Sequence, residues 1–245
     1  MDRSDYRNRI YKYYVRARRK SLTPERVDGF KPRAPMLRKI IREHFPKVGN
    51  ASILDLGCGH GAFLHFIREA GYTDVSGVDG SPEQVAEAAR LGIEGAFEGD
   101  LLETLHSLPD QSKDVIIAFD VIEHFTKAEL MPFVDEVYRV LRSEGKWIIH
   151  TPNGESPFGA RMFFGDFTHE LGFTRTSIAQ LLLASGFSKV LCEEDTPIPH
   201  GIKSAARFIM WKCVRGFLRL YLNVENHAGE SACIFSQNFL AVAVK

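Results

Sequence analysis

The segment ILDLGCGHGAFL at residues 53–64 carries three glycines at alternate positions, a pattern that can bind a ligand. An apolar strand pattern precedes Gly57, Gly59 and Gly61, and a helical pattern follows them. Glycines let the chain turn tightly and come close to a ligand, and the helix N-terminus then faces that ligand. Gly57, Gly59 and Ala62 also fit the dinucleotide pattern GxGxxA, so the glycines alone leave the ligand open.

The acidic residue Asp55, two positions before Gly57, distinguishes between the two cofactors that use such a loop. A carboxylate at the end of the strand attracts a cation and repels a diphosphate. S-adenosylmethionine (SAM) carries an ammonium and a sulfonium group and no pyrophosphate, so the sequence predicts SAM and not NAD. The alternative is that Asp55 serves only as a helix N-cap.

Two further acids end the second and third predicted strands. Asp79, in GVD, is predicted to accept hydrogen bonds from both ribose hydroxyls. Asp100, in EGDL, is predicted to accept from an adenine amino group while Leu101 packs on the ring. The other predicted cofactor-binding residues lie in the glycine loop or at strand ends: Cys58, Gly80 and Phe119.

Histidines are the candidate bases for the acceptor side, because a hydroxyl acceptor needs a proton-accepting group with a pKa near neutrality. His124 follows the fourth predicted strand, next to Glu123, and is expected near the sulfonium. His150 closes the fifth strand on its apolar side, which favours a structural role.

His169 lies in the segment GDFTHE, on a loop after the fifth strand, where substrates bind in such sheets. We predict that Asp166 or Glu170 orients its imidazole, which makes His169, Asp166 and His124 the candidate catalytic residues. The alternative is that this acidic stretch only caps the following helix and fixes the loop. A metal site at Asp166, His169 and Glu123 is a weaker alternative because no fixed ligand spacing is present, and we predict no metal.

Strand and helix patterns alternate from residue 51 to about residue 194, which predicts a parallel sheet with helices on both faces. Helices are also predicted at 5–20 and 34–45, and a last strand at 231–244. The expected organisation is one α/β domain over 1–245: an N-terminal helical lid at 1–48, a cofactor-binding core at 49–200, and an amphipathic helix with the final strand at 201–245.

Five short blocks occur in the order found in class I SAM-dependent methyltransferases, which the chain resembles over residues 51–152. The blocks are DLGCGHG at 55–61, GVD at 77–79, GDL at 99–101, FDVIEH at 119–124 and LRSEG at 141–145. The resemblance implies a Rossmann-like three-layer sandwich with a seven-stranded, mostly parallel sheet and an antiparallel last strand. It also implies that the loop with Asp55 and its glycines holds the methionyl part, Asp79 the ribose and Asp100 the adenine. RSEG replaces the commoner KPGG, a departure that affects only a turn.

The segment 152–187, PNGESPFGARMFFGDFTHELGFTRTSIAQLLLASGF, is similar to a subgroup of these enzymes associated with bacterial surface-polysaccharide biosynthesis. This resemblance implies O-methylation of a sugar hydroxyl on a glycan or lipid-linked glycan. A quinone- or phenol-type methyltransferase is the alternative, because the Glu123-His124 pair resembles that of such enzymes. An apolar acceptor would also suit the phenylalanines at 158, 163, 164, 167 and 173. A non-catalytic SAM-binding subunit is the alternative from another class.

Composition and charge limit the remaining classes of function. The 245 residues include 31 Lys and Arg and 31 Asp and Glu, and a net charge of zero does not favour nucleic-acid binding. Four widely spaced cysteines without a CxxC pair favour reduced thiols in a cytoplasmic protein. The charged N-terminus predicts no signal peptide, and no apolar run reaches the roughly 18 residues of a membrane span.

Residues 203–222 form a predicted amphipathic helix with basic side chains towards one side and apolar ones opposite. Such a helix can lie on an anionic membrane surface. Packing of the apolar side on the sheet, or in a dimer interface, is the interpretation that we favour. The expected location is the cytoplasm, with peripheral membrane contact as the alternative, and the sequence leaves the oligomeric state open.

Overall fold

Strands and helices alternate along the chain in the computed structural model, which describes residues 4–11, 24–47, 49–226 and 233–245. The strands are β1 (Ile53–Leu56), β2 (Val75–Asp79), β3 (Ala96–Glu98), β4 (Lys113–Phe119), β5 (Leu141–Pro152), β6 (Lys189–Glu194) and β7 (Asn238–Val244). The helices are α1 (Ser4–Tyr11), α2 (Ala34–His44), α3 (Ala62–Glu69), α4 (Pro82–Arg90), α5 (Leu101–Ser107), α6 (Lys127–Val140), α7 (Gly159–Phe163), α8 (Arg175–Ala184) and α9 (Ile202–Asn226). Short 3-10 helices lie at Val27–Phe30 and Ile122–His124.

The seven strands form one sheet in the order β3-β2-β1-β4-β5-β7-β6. β7 runs antiparallel to β5 and β6, whereas the pairs among β1 to β5 are parallel. The predicted Rossmann-like fold with an antiparallel last strand is therefore confirmed. The strand order reverses between β1 and β4, and in such sheets ligands bind beside this point, at the carboxyl ends of the strands.

The central strands are buried on both faces, which explains their nearly continuous apolar sequences. In β1, Ile53 packs into the hydrophobic cluster on one face of the sheet and Leu54 into the cluster on the other. Ile117 and Ile116 of β4 divide between the two clusters in the same way. This two-sided packing fixes the register of the strands, and with it the positions of the loops at their carboxyl ends.

The terminal elements differ in extent from the prediction. The N-terminal helix is described over Ser4–Tyr11, and the rest of the predicted helix, residues 12–20, lies outside the described residues. The last strand begins at Asn238 instead of residue 231, although 231 and 232 also lie outside the described residues. In the segment before that strand, the carbonyl oxygens of Ile234 and Ser236 accept hydrogen bonds from Nδ2 of Asn153. A side chain thus provides the hydrogen bonds that a neighbouring strand would otherwise provide.

The apolar side of helix α9 does not pack on the sheet, and its place in a dimer interface stays a prediction. Its apolar side is exposed to solvent, with a relative exposure of 62% for Ile209, 68% for Phe217 and 77% for Val224. Less exposed residues, such as Ser204 and Leu218, lie on the opposite side of the helix. The prediction that the apolar side packs on the sheet is therefore wrong. Over the described ranges, no helix combines the length and the apolarity needed to cross a membrane.

Candidate active site

The loop between β1 and α3 requires glycine at two positions because it lies close to neighbouring side chains. Gly57 has a φ of +74°, and a Cβ there would lie 2.4 Å from Cγ2 of Val121. Gly61 has a φ of +78°, and its Cβ would lie 2.6 Å from Cγ2 of Ile93. Larger residues would displace the loop from the position in which Gly59 lines a cavity.

That cavity has a volume of about 890 Å³ and opens at the carboxyl ends of β1, β2 and β4. Its volume is typical of a small-molecule or cofactor site. The predicted cofactor-binding residues that line it are Asp55, Gly57, Cys58, Gly59, Asp79, Gly80, Asp100, Leu101 and Phe119. The predicted catalytic residues His124, Asp166 and His169 line the same cavity. Gly61 instead supports the glycine loop by lying close to Ile93.

Asp55 is a buried acid with one unpartnered oxygen. The residue is 2% exposed, and Oδ1 of its carboxylate has no hydrogen-bond partner among the described residues. Burial, with the nearby Asp79, raises the pKa of Asp55 well above its usual range. A cation in the cavity would offset both effects because it favours the ionised carboxylate, so this site fits an ammonium or sulfonium group. The N-cap of α3 is Gly61, so the alternative role of Asp55 as an N-cap is wrong.

Backbone N–H groups hold Asp79 in place. Oδ2 accepts from the N–H of Gly59 at 2.7 Å, and Oδ1 accepts from the N–H of Ser81 at 2.8 Å. Burial raises the pKa of Asp79 despite these two hydrogen bonds. Each carboxylate oxygen has two lone pairs, so both can accept a further hydrogen bond from a hydroxyl in the cavity. Ribose binding by Asp79 stays a prediction.

Asp100 lies two residues beyond Glu98, where β3 ends, and not at the strand end as predicted. It is the N-cap of α5, and its Oδ1 accepts from the N–H groups of Leu102 and Glu103, both at 2.9 Å. The capping bonds fix the carboxylate in the cavity wall, next to Leu101. The contacts of Asp100 and Leu101 with adenine stay predictions.

On the acceptor side, His124 ends a hydrogen-bonded chain that reaches Asp166. Its Nδ1 lies 2.8 Å from Oγ1 of Thr168, and that hydroxyl donates to Oδ1 of Asp166 at 2.6 Å. The single hydroxyl proton of Thr168 is used in the second bond, so Nδ1 of His124 carries the hydrogen and Nε2 is its acceptor. Burial and the neighbouring His169 lower the pKa of His124 to about 4, which keeps the ring neutral.

The partners of His169 differ from the predicted ones. Its Nδ1 lies 2.8 Å from the carbonyl oxygen of Phe163, so Nδ1 carries the hydrogen and Nε2 is again the acceptor. Nε2 lies 4.0 Å from Oε1 of Glu123. The prediction that Asp166 or Glu170 orients His169 is therefore wrong, because the carbonyl of Phe163 orients this ring and Asp166 acts on the other imidazole.

The acceptor-side loop (165–171) is fixed by backbone hydrogen bonds. The N–H groups of Glu170 and Leu171 donate to the carbonyl oxygen of Glu123 at 2.8 and 3.0 Å. These bonds tie the loop to the 3-10 helix that follows β4. The N-cap of α8 is Thr174, so the alternative that the acidic stretch caps the following helix is wrong.

Glu123 is a component of the site that the sequence did not place among the catalytic residues. It is 0% exposed; Oε2 accepts from Oγ1 of Thr151 at 3.0 Å, while Oε1 has no partner in the described part of the chain. Burial, together with Asp120, raises the pKa of Glu123 to about 8. The signal that could have identified it is its position a few residues after an apolar strand and directly before a histidine.

A second pair, His150 and Asp120, lies at the ends of β5 and β4. Nδ1 of His150 is 2.8 Å from Oδ1 of Asp120, and the His150 ring stacks on Phe119 with centroids 4.8 Å apart. Burial alone would lower the pKa of His150, but attraction to Asp120 and to Asp195 outweighs it and raises the pKa to about 10. This charged pair agrees with a structural role for His150, and the sequence analysis missed its partner Asp120.

Helix α1 lies over the acceptor side of the cavity. The hydroxyl of Tyr6 donates to Glu170, and the guanidinium of Arg7 pairs with Glu129. Nη1 of Arg7 also donates to the carbonyl oxygen of His124 at 3.1 Å. These contacts give the N-terminal helix the position that a lid would occupy, and its action as a lid stays a prediction.

The chain is similar in sequence to known methyltransferases. Residues 54–149 match the family model described as a methyltransferase domain. A "probable S-adenosylmethionine-dependent methyltransferase" of Mycolicibacterium smegmatis is 37% identical over 150 residues, which cover 61% of this chain and 55% of that protein. The ubiquinone biosynthesis O-methyltransferase of Rickettsia bellii is 27% identical over 115 residues, 46% of this chain and 47% of that protein. The chain thus spans about half the length of these curated relatives.

The fold is also shared with solved structures. A SAM-dependent methyltransferase from Archaeoglobus fulgidus superposes with a TM-score of 0.64 at 21% identity, over 89% of this chain and 97% of that one. This likeness shows the Rossmann-like fold, and the family model locates the part of the chain that carries it. Residues 54–149 are therefore similar in sequence to a methyltransferase domain, and they lie within a Rossmann-like fold.

Proposed function

We propose that the protein is a SAM-dependent O-methyltransferase whose acceptor is a sugar hydroxyl of a glycan or lipid-linked glycan. One observation carries this proposal: the cofactor-side acids and the acceptor-side histidines line the same cavity. Asp55 and Asp79 mark one wall, and His124 and His169 mark the other. A methyl donor and an acceptor bound to these walls would meet inside one enclosed site, which is the main requirement of methyl transfer.

The cofactor wall suits SAM, which supplies a methyl group carried on a positively charged sulfur. Asp55 offers a buried carboxylate oxygen without a partner among the described residues. Asp79 is positioned by Gly59 and Ser81 and keeps lone pairs for ribose hydroxyls. The chain's part is to bind and orient this cofactor, and Asp55 provides the charge that a cation requires.

The acceptor wall supports oxygen as the methylated atom. A hydroxyl holds its proton at neutral pH, so its methylation needs a place for that proton. His124 and His169 both carry hydrogen on Nδ1, which leaves both Nε2 atoms as acceptors. We propose that the acceptor hydroxyl binds with its proton directed at this pair and loses the proton to Nε2 of His169, because the lowered pKa of His124 makes that ring a weak base.

Most of the phenylalanines that would suit an apolar acceptor lie away from the cavity, which supports a polar acceptor over a quinone or a phenol. Phe158, Phe164 and Phe167 are 66%, 80% and 84% exposed, and Phe173 is buried in the hydrophobic core. Within the described ranges, none of these four lines the cavity, whereas Arg161 and Asp166 do, beside apolar side chains such as Phe125 and Met162. The similarity to a ubiquinone biosynthesis O-methyltransferase makes a quinone-type acceptor the second candidate.

The exposed side of α9 supports a lipid-linked acceptor. The helix carries five basic residues and one acid: Lys203, Arg207, Lys212, Arg215, Arg219 and Glu225. Its exposed apolar side is flanked by part of this positive charge, a combination that binds anionic membrane surfaces. We propose that α9 lies on such a surface and that the protein methylates its acceptor there.

Transfer of labelled methyl groups from SAM to a panel of acceptors tests the proposal. The panel contains nucleotide sugars, lipid-linked oligosaccharides, phenols and quinols, and the product of interest is the O-methyl group. We expect label in a sugar-bearing acceptor. Label only in phenols or quinols would establish the second candidate. Tight SAM binding with no transfer to any acceptor would establish a non-catalytic SAM-binding subunit.

A further inference from the structure

Three potential metal ligands converge on the acceptor wall of the cavity. Glu123, His124 and His169 each offer one ligand atom, and these three atoms all lie within 4.8 Å of one another. The rings of His124 and His169 pack edge to face with centroids 4.7 Å apart. All three residues line the cavity, so the cluster is open to a ligand on one side. Sequence spacing concealed this set because His169 follows the other two by more than forty residues.

The hydrogen bonds of both imidazoles are those of metal-binding histidines. Such histidines usually donate one ring N–H to a carbonyl, a carboxylate or a similar acceptor, which directs the other nitrogen to the ion. His169 donates from Nδ1 to the carbonyl of Phe163 at 2.8 Å. His124 donates from Nδ1 to Thr168, whose hydroxyl is bonded to Asp166. In both residues, Nε2 is therefore the nitrogen with a free lone pair.

The third atom, Oε1 of Glu123, needs a positive partner. The carboxyl group is fully buried, and Oε1 receives no hydrogen bond from any residue that the structure describes. Its nearest basic nitrogen in the cluster, Nε2 of His169 at 4.0 Å, is an acceptor in this tautomer. A proton held by Glu123 could satisfy only one of the two imidazole lone pairs, whereas a cation bound between the carboxylate oxygen and both nitrogens satisfies all three.

We propose that Glu123, His124 and His169 bind a divalent first-row metal ion, with Zn²⁺ as the representative, through Oε1 and the two Nε2 atoms. Imidazole nitrogens and a carboxylate oxygen are ligands that Zn²⁺ prefers, and catalytic sites keep a coordination position open. Because these ligands lie about 2 Å from the ion in a tetrahedral site, Nε2 of His169 and Oε1 of Glu123, which are 4.0 Å apart, must move closer together as it binds.

The ion would deepen the proposed function, on which this part of the inference rests, by replacing the imidazole as the group that activates the acceptor hydroxyl. An acceptor hydroxyl that coordinates the open position would lose its proton to water more readily, because a bound cation stabilises the alkoxide. The cluster would then hold and activate the acceptor oxygen opposite the cofactor wall. His124 and His169 would act as ligands, and Thr168 and Phe163 as the groups that position them.

A second cluster in the chain provides a matched control. Glu43, His44 and Glu193 also bring ligand atoms within 4.8 Å of one another. There, however, Nζ of Lys39 lies 3.5 Å from Oε2 of Glu43 and 3.9 Å from Oε2 of Glu193, so a cation is already present. We therefore expect no tight metal binding at this second cluster.

The test is a titration of chelator-treated protein with ZnCl₂ against a chromophoric chelator, repeated with CoCl₂ to record the absorption spectrum. We expect one tight Zn²⁺ per chain and a Co²⁺ spectrum without the charge-transfer band that cysteine ligands produce. His169→Asn should weaken Zn²⁺ binding roughly 100-fold or more, and Thr168→Val about 10- to 100-fold. Glu123→Gln should behave like His169→Asn if it folds, whereas Glu193→Gln should bind as the wild type does.

Two results would overturn the inference: Zn²⁺ binding of equal strength in the wild type and His169→Asn, or loss of binding in Glu193→Gln. The titration needs neither acceptor nor SAM, so its failure leaves the proposed function intact. Binding of S-adenosylhomocysteine to the same metal-free samples is measured in parallel. Tight Zn²⁺ at this cluster in a protein that transfers no methyl group would instead contradict the proposed function and leave the metal site standing.

Discussion

Thr168 and His124 come from different loops, and their contact of 2.8 Å between Oγ1 and Nδ1 determines which nitrogen of the imidazole holds the hydrogen. His124 belongs to the 3-10 helix after β4, and Thr168 to the acceptor-side loop after β5. The Thr168 hydroxyl donates its hydrogen to the carboxylate of Asp166, so it can only accept a hydrogen from the His124 ring. The acceptor side of the cavity therefore depends on a hydroxyl that has no chemical role of its own.

Removal of that hydroxyl should slow methyl transfer without affecting the cofactor. We expect Thr168→Val to reduce the single-turnover rate about 10- to 100-fold, the usual effect of losing a group that orients a functional histidine. The affinity for SAM should stay within a factor of two, because Thr168 lies on the acceptor side. Thr168→Ser, which keeps a hydroxyl, should restore most of the rate. A valine variant with the wild-type rate would show that the tautomer of His124 is unimportant.

His169→Ala should reduce the rate much more than it reduces SAM affinity. Loss of a group that removes or activates a proton typically costs about 10²- to 10⁴-fold in rate. Asp166→Asn should reduce the rate less, because Asp166 acts on His124 through Thr168 and does not orient the ring of His169. The control is His106→Ala, an exposed histidine on α5. An unchanged single-turnover rate in His169→Ala would assign this residue to the loop structure alone.

Asp79→Asn should weaken cofactor binding and leave the chemistry of the acceptor side intact. The substitution removes charge-assisted hydrogen bonds to the ribose, worth about 1.5–3 kcal/mol, or roughly 10- to 100-fold in affinity. Calorimetric titration with SAM measures the effect, and Asp135→Asn, at an exposed position on α6, is the control. Because Asp79 also binds the N–H groups of Gly59 and Ser81, thermal unfolding must show that the variant folds. An affinity within twofold of the wild type would place the ribose elsewhere.

The sequence predicted the cofactor half of the site better than the acceptor half, and the reason is local geometry. Asp55 and the glycines are a few positions apart on one strand-loop-helix unit, so their spacing determines their arrangement. Asp79 is the last residue of the adjacent strand β2, and the parallel pairing of β1 and β2 brings Asp79 and the glycine loop to the same edge of the sheet. Packing on both faces of the sheet fixes these positions, and the apolar pattern of the strands already indicates that both faces are buried.

The acceptor half is formed by contacts between distant residues, which spacing does not reveal. The sequence analysis chose Asp166 as the partner of His169 because the two are close in the chain. The carbonyl of Phe163 takes that place instead, and Glu123 comes from another strand end. Packing of the apolar side of α9 on the sheet was also mispredicted, because an amphipathic pattern shows that a helix has two sides and not which one is covered.

Stability should fall as the pH rises from neutrality to about 10, because of His150. Its pKa is raised from 6.5 to about 10 in the folded protein, so the folded state binds a proton that the unfolded state releases. The stabilisation is complete below pH 6.5 and is lost as the pH rises through the folded value. Since Asp120 is 58% exposed, solvent weakens the pair, and a modest slope is expected. Urea unfolding of the wild type and of His150→Gln at several pH values should show a flatter profile for the variant. Equal slopes would exclude this ion pair as the cause.

Binding to anionic membranes should depend on the exposed side of α9. We expect the protein to co-sediment with phosphatidylglycerol-containing vesicles and much less with phosphatidylcholine vesicles, and to be released by salt, because the basic side chains of the helix supply part of the attraction. The double substitution Ile209→Glu and Phe217→Glu adds acids to an apolar side that is already exposed, so it should abolish binding and leave the fold intact. Leu183→Glu, which changes an exposed leucine on α8 in the same way, should bind as the wild type does.

If vesicles bind equally to all variants, α9 is not the contact. If the double variant instead converts a dimer into a monomer, the exposed side of α9 joins two copies of the chain and the membrane proposal is wrong.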